Sequence, residues 1–375
     1  ADTTRLLTLF GEQVTRQYQS QSLGWADNII FACTPLGIIT AVIVIGAIRV
    51  GGPNWLRAVV GRAREGHGVA EMELMSSTSE SVCELWNCQS IDRLLGSPDL
   101  LELVYVTGNY DQYRYRGARV YSISDAVEHN QYLKAKRGER GSLRAILERP
   151  DPPNLSLSVE AALCPPWELW VFAAASIAIM VQSGLIAYNI VLVVYLRWMK
   201  GGVTVRGYAL PCTLIGSMVV VIGLLICSHV IEGTTTEVKL YPAKPHVRVI
   251  RIQRGGQKVN DQIFKAYAFP ERDFETNTEE GVNYMSQNIT MSRKLSEGSA
   301  KFRIMATFGS FATVLGFIIQ FVGLRAMHWS ATVAQLGATL IMTVIRSWVR
   351  RGLSVDPRPK RIPDGRELDW LAKEI

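Results

Sequence analysis

Five stretches of this chain are too long and too apolar to be ordinary core helices of a water-soluble protein. They run from Asn28 to Ile48, Trp167 to Leu196, Tyr208 to Ile231, Phe302 to Leu324 and Trp329 to Val349. A helix needs about 20 largely apolar residues to cross a hydrocarbon layer ~30 Å thick. None of the five carries Asp, Glu or Lys at its centre. Composition agrees: 19% of the 375 residues are charged, against about 25% in soluble domains. The expected fold class is an α-helical integral membrane protein with about five transmembrane helices, one single span plus two helical hairpins. Small α/β and β-hairpin parts are expected outside the membrane.

The runs divide the chain. An N-terminal tail (1–27) precedes transmembrane helix 1 (28–49), and an α/β extramembrane domain with an interfacial helix follows (50–166). Next come a hairpin of helices 2 and 3 (167–231), a β-rich segment (232–301), a hairpin of helices 4 and 5 (302–349) and a basic C-terminal tail (350–375). Trp167, Trp170, Trp198, Trp329 and Trp348 stand at run ends, where amphipathic rings favour the headgroup level. The connections RWMKGGVTVRG and RAMH are short, so each pair reads as a tight hairpin.

The formal net charge is +7, but the basic residues crowd the ends of apolar runs, which points to a membrane surface and not to nucleic acid. Arg49, Arg57, Arg62, Arg64, Arg149, Lys239, Lys244, Arg293, Lys294, Lys301, Arg350, Arg351, Arg358, Lys360 and Arg361 fall on one face. The other holds Arg5, Arg16, Arg197, Lys200, Arg206 and Arg325. The positive-inside bias places the first face in the cytosol and the N-terminus outside. This is the pattern of a multi-pass protein of either the plasma membrane or an endomembrane. The sequons at Asn154 and Asn288 then face the cytosol and stay bare.

After Gly51-Gly52-Pro53 breaks the first helix, Trp55, Leu56, Val59, Val60 and Ala63 share one face of a short helix and Arg57 and Arg64 the other. That suits a helix lying in the interface, or equally an amphipathic helix of the soluble domain. Arg57, Arg62, Arg64, Arg350 and Arg351 are the candidate contacts to anionic lipid headgroups.

Outside the membrane, SSTSESVCELWN carries helix-start chemistry, with Ser77 three before Glu80 and Ser81 three before Glu84. GVAEMELM and DAVEHNQYL read as helical, and LLELVYV, RVYSIS and NLSLSV as strands. EVKLYP and VRVIRIQ are strands; Arg254-Gly255-Gly256-Gln257 is a turn, and KVNDQIFKAYAF the returning partner. The closing WLAKEI is apolar, and the chain opens at Ala1 without a signal-peptide pattern. The expectation is a trimmed chain or a piece of a longer one.

No catalytic or cofactor constellation stands out. The five histidines form no HExxH, and no GxSxG, P-loop or dinucleotide fingerprint occurs. Cys33, Cys212 and Cys227 lie within apolar runs, and Cys83 and Cys88 lack a second pair at zinc spacing. Polar groups at membrane depth are the amides Gln182, Asn189, Gln320 and Gln335. Gln182 and Asn189 share a helix face, and Gln320 and Gln335 could meet near the second hairpin's turn. Such amides serve either as interhelical glue or as a polar route. Gly309, Thr313 and Gly316 form a small-residue face for close packing. The lack of central carboxylates argues against a calcium-selective pore built from one chain.

IRVGGPNWLRAVVGRARE, AEMELMSSTSESVCELWN, GLRAMHWSATVAQLGATLIMTVIRSWVRRGL and ELDWLA resemble a family of multi-pass membrane proteins from filamentous fungi, some labelled modin-like or calcium-permease-like. The likeness runs over nearly the whole chain. It implies a fungal integral membrane protein, often extended by a further C-terminal region, and brings no site residues with it. The expected function is a membrane-anchored sensor or scaffold, without enzymatic activity. Its partners would be the bilayer, anionic headgroups and a protein partner or second copy; a transporter or channel subunit is the alternative.

Overall fold

The computed structural model describes residues 14, 18, 24–33, 43–48, 51–60, 82–95, 99–106, 110–111, 114–115, 119–128, 132–135, 167–200, 202–233, 235–243, 247–259, 262–269, 289–294, 300–351 and 359–374. Its helices are α1 (Trp25–Ala32), α2 (Asn54–Val59), α3 (Ile123–Glu128), α4 (Trp167–Ile190), α5 (Ala209–Gly233), α6 (Ala300–Ala326), α7 (Trp329–Val349) and α8 (Glu367–Glu374). A π-helical turn, Val191–Tyr195, prolongs α4. Four helices among the described residues, α4 to α7, are long and apolar enough to cross a membrane. Four such helices fit a multi-pass membrane protein.

The polarity of α6 shows which solvent it faces. Its buried residues are Ala306, Gly309, Ser310, Thr313, Gly316, Gln320 and Gly323. Phe308, Phe311, Leu315, Ile318 and Phe321 point outward. A helix in water would bury the large apolar groups; lipid inverts the preference, and small residues mediate helix contact. The opposing helix is α5, through its own glycines. A Cβ on Gly216 would lie 2.3 Å from the Gln320 backbone nitrogen, and one on Gly323 2.5 Å from that of Thr213.

The long helices joined by short turns do not pack as tight hairpins. The turns are short, but α5 lies along α6 and α7 packs on α4, while α4 and α5, like α6 and α7, hardly touch each other. The close fit of the glycine stripes on α5 and α6 outweighs proximity in sequence.

The first apolar run also departs from expectation. Instead of one helix from Asn28 to Ile48, α1 stops at Ala32, and Cys33 is extended, with φ −73° and ψ 134°. Residues 43–48 are helical again. Residues 34–42 lie outside the described set.

The strands are β1 (Val82–Trp86), β2 (Ile91–Leu95), β3 (Leu100–Val106), β4 (Tyr110–Asp111), β5 (Arg114–Tyr115), β6 (Arg119–Ser122), β7 (Leu133–Ala135), β8 (Thr235–Pro242), β9 (Val247–Gln253), β10 (Gln257–Val259), β11 (Gln262–Phe264), β12 (Tyr267–Phe269), β13 (Ile289–Lys294) and β14 (Lys360–Arg361). Five of them form one sheet in the order β14-β12-β9-β3-β6, and a second sheet runs β13-β8-β7. Both join strands from segments that the membrane helices separate. Three expectations change here. Residues 82–86 of the supposed helix start are strand β1. The partner strand after the 254–257 turn is split into the β10–β11 hairpin and β12. The tail supplies β14 and α8, so it is part of the fold. GVAEMELM and NLSLSV fall outside the described residues.

Both faces of the larger sheet are covered. Leu101, Leu103, Ile250, Ile252 and Ala268 face Ile362, Trp370 and Leu371 of the tail. On the other face Leu100, Tyr267 and Phe269 pack under the β1–β2 hairpin, and Val104, Val247 and Val249 under α3, Leu133 and Leu240. Between those two clusters Glu102 and Arg251, cross-strand partners, form a buried ion pair at 3.1 Å. Gln253 acts as a short piece of strand: its Oε1 accepts from the Trp86 N–H at 2.8 Å and its Nε2 donates to the Trp86 and Lys265 carbonyls.

Candidate functional site

An apolar helix that stops inside a bundle leaves its last carbonyls without partners, and in hydrocarbon each such group costs several kcal/mol. The last turn of α7 meets this demand at the end of α1. Nη2 of Arg346 lies 3.0, 3.1 and 2.9 Å from the carbonyl oxygens of Ile30, Phe31 and Cys33. Its Nε donates to Ile30 at 3.3 Å. The guanidinium is fully buried and lies 5.9 Å from the centre of the Phe31 ring. A cation at a helix C-terminus is also favoured by the helix dipole.

One turn further along, Arg350 donates to Asp27 Oδ1 at 2.8 Å, and both side chains are buried. The Tyr18 hydroxyl donates to the same oxygen at 2.6 Å. Arg350 also stands over the Tyr18 ring at 4.7 Å. From α5, Ser228 donates to Asn28 Oδ1, and Asn28 Nδ2 donates to Glu232 at 2.6 Å. Trp25 stacks on His229 with ring centroids 4.7 Å apart. The result is a buried polar cluster where α1, α5 and α7 meet.

Sequence reasoning missed this cluster. Arg346 stands four residues before Arg350 inside the fifth apolar run, and that was the available signal. Ionisable groups buried in a membrane segment pair with one another or with backbone carbonyls. Those partners lie more than 300 positions away, so spacing could not supply them.

The expected site residues fare unevenly. Asn189 is buried, and its Oδ1 has no hydrogen-bond partner among the described residues. Gln320 is buried where Gly216 presses on its backbone, so helix packing between α5 and α6 claims it. Gln182 is half-buried on α4, and Gln335 half-buried on α7. Of the headgroup candidates, Arg350 is corrected: Asp27 holds it inside the protein. Arg351 is exposed and stacks over Trp348 at 4.4 Å, beside Trp170. Arg57 is half-buried on α2, whose Trp55 and Val59 are exposed. Arg62 and Arg64 lie outside the described residues. Among the described residues no group of three or more His, Cys, Asp or Glu could hold a metal ion.

No family model matches this chain, nor does a curated protein or a solved structure.

Proposed function

We propose that this protein is a membrane-anchored sensor or scaffold whose cytosolic domain engages a protein partner, a role in keeping with the resemblance to multi-pass proteins of filamentous fungi. One observation carries the reading. Strand β9 pairs with β3 on one side and β12 on the other, and β12 pairs with β14 of the tail. Three segments separated by membrane helices thus build one domain, and the membrane helices hold it against the bilayer. The basic flanks, with Arg351 exposed at the surface, support attraction to anionic headgroups.

Transport is the second reading, favoured by the half-helix α1 ending inside the bundle and by the buried Asn189 amide. Broken helices and intramembrane polar groups accompany substrate pathways elsewhere. Flux through proteoliposomes holding the full chain separates the two. A scaffold leaks ions no faster than empty liposomes. Flux well above that level, lost on alanine substitution of Gln182, Asn189, Gln320 and Gln335, would install the transport reading instead.

A further inference from the structure

We infer that the first apolar run does not cross the membrane: it enters and leaves on the side of the extramembrane domain, and Arg346 is the built-in cation that closes its inner end. Contacts at both ends of the run carry this. At its start Asn28 is hydrogen bonded to Ser228 and Glu232, and Asp27 to Arg350. At its finish a Cβ on Gly51 would lie 2.5 Å from Val230 Cγ1 and 3.6 Å from the Phe302 carbonyl oxygen. Residues 28 and 51 therefore rest against the same short stretch of α5, the end that leads into β8. A helix crossing from Asn28 to Ile48 would hold its ends about 30 Å apart at 1.5 Å per residue.

The depth follows from where α1 and α7 end. Ile30, Phe31, Ile43 and Val44 share one buried cluster with Val220 and Met342. α1 ends at Ala32, roughly 6 Å along the helix from Asn28, and Arg346 stands about one turn inside the end of α7 at Val349, so the α1 terminus lies one to two helical turns in from the edge of the bundle. At that level a helix C-terminus presents carbonyl oxygens and the negative end of its dipole, the arrangement that coordinates cations in broken-helix transporters. Here the Arg346 guanidinium fills the place. Non-helical backbone at membrane depth is tolerated where protein buries it, and Cys33 is only 5% exposed. Charge bias agrees. With the run re-entrant, Arg5 and Arg16 join the basic face, and only Arg197, Lys200, Arg206 and Arg325 remain opposite.

The inference rests on the multi-pass reading alone, and flux in proteoliposomes would leave it standing. Its test uses the full chain in sealed microsomes, with one epitope tag before residue 1, another after residue 375 and a glycosylation acceptor placed in the 201–206 turn. Both tags should be digested together by added protease while the turn is glycosylated. One tag protected and the other digested would overturn the re-entrant path. For Arg346, the probe is a membrane-permeant maleimide on a chain keeping Cys33 as its sole cysteine. Arg346→Ala should raise the labelling rate tenfold or more, and Arg346→Lys should raise it less. Equal rates in all three chains would remove Arg346 from its assigned role.

Discussion

At the scale of single residues, the buried charges decide most. Asp27 and Arg350 are each out of water, so removing one strands the other. Breaking a buried pair this way typically costs about 3–5 kcal/mol. Asp27→Ala should therefore lower the thermal midpoint in detergent far more than Arg351→Ala. Pairing Asp27→Ala with Arg350→Met should recover part of the loss, which a double-mutant cycle would read. Glu367 ties the tail to the sheet by accepting from the backbone N–H groups of Gly255 at 3.0 Å and Gly365 at 3.2 Å. Burial alone would raise its carboxyl. The hydrogen bonds from Gly255 and from backbone at Glu367 and Gly365, with the Arg254 charge, outweigh burial and hold it below the usual range. A carboxyl depressed in the folded state stabilises above its unfolded pKa of about 4.3, and that contribution disappears as pH falls through the folded value. Glu367→Gln should accordingly lower the domain's stability near neutrality and flatten the acid limb of its profile, the two chains converging as pH falls below the folded value, which urea melts across that range would read.

At the scale of elements, α5 and α6 are matched by what their glycines lack. Gly216→Ala or Gly323→Ala would drive a methyl into backbone, at 2.3 and 2.5 Å respectively. The helices must then separate, at roughly 1–3 kcal/mol each. Gly184 and Gly337 have nothing within 4 Å of such a methyl, so alanine there should be neutral or add up to about 1 kcal/mol of helix propensity. Melting curves of the four variants in one detergent would compare them directly. An equal effect at all four positions would mean that close approach does not hold this pair. The same matching explains why short turns failed to produce hairpins. Turn length brings neighbouring helix ends together, but the stripe Gly309, Thr313, Gly316 finds its complement on α5. That stripe was legible as a packing face; its partner was not.

At the scale of the whole molecule, the tail covers one face of the sheet, with Leu371 buried against Ile252 and Ala268. Leu371→Ala should cost about 2–4 kcal/mol through the cavity it leaves. Ending the chain after residue 358 should expose that face and open β9 to limited proteolysis while α4 to α7 stay membrane-embedded. A truncated chain as protease-resistant as the full one would show that the sheet stands without its tail. Apolar length and strand alternation are local properties, so the sequence by itself set where α4 to α7, β3 and β9 would lie. The interruption at Cys33, the pairing of strands across three segments and the burial of Arg346 and Arg350 were settled only in three dimensions. A buried charge or an unpaired carbonyl is tolerable only beside a particular partner, and here those partners are brought close by the fold, not by the chain order.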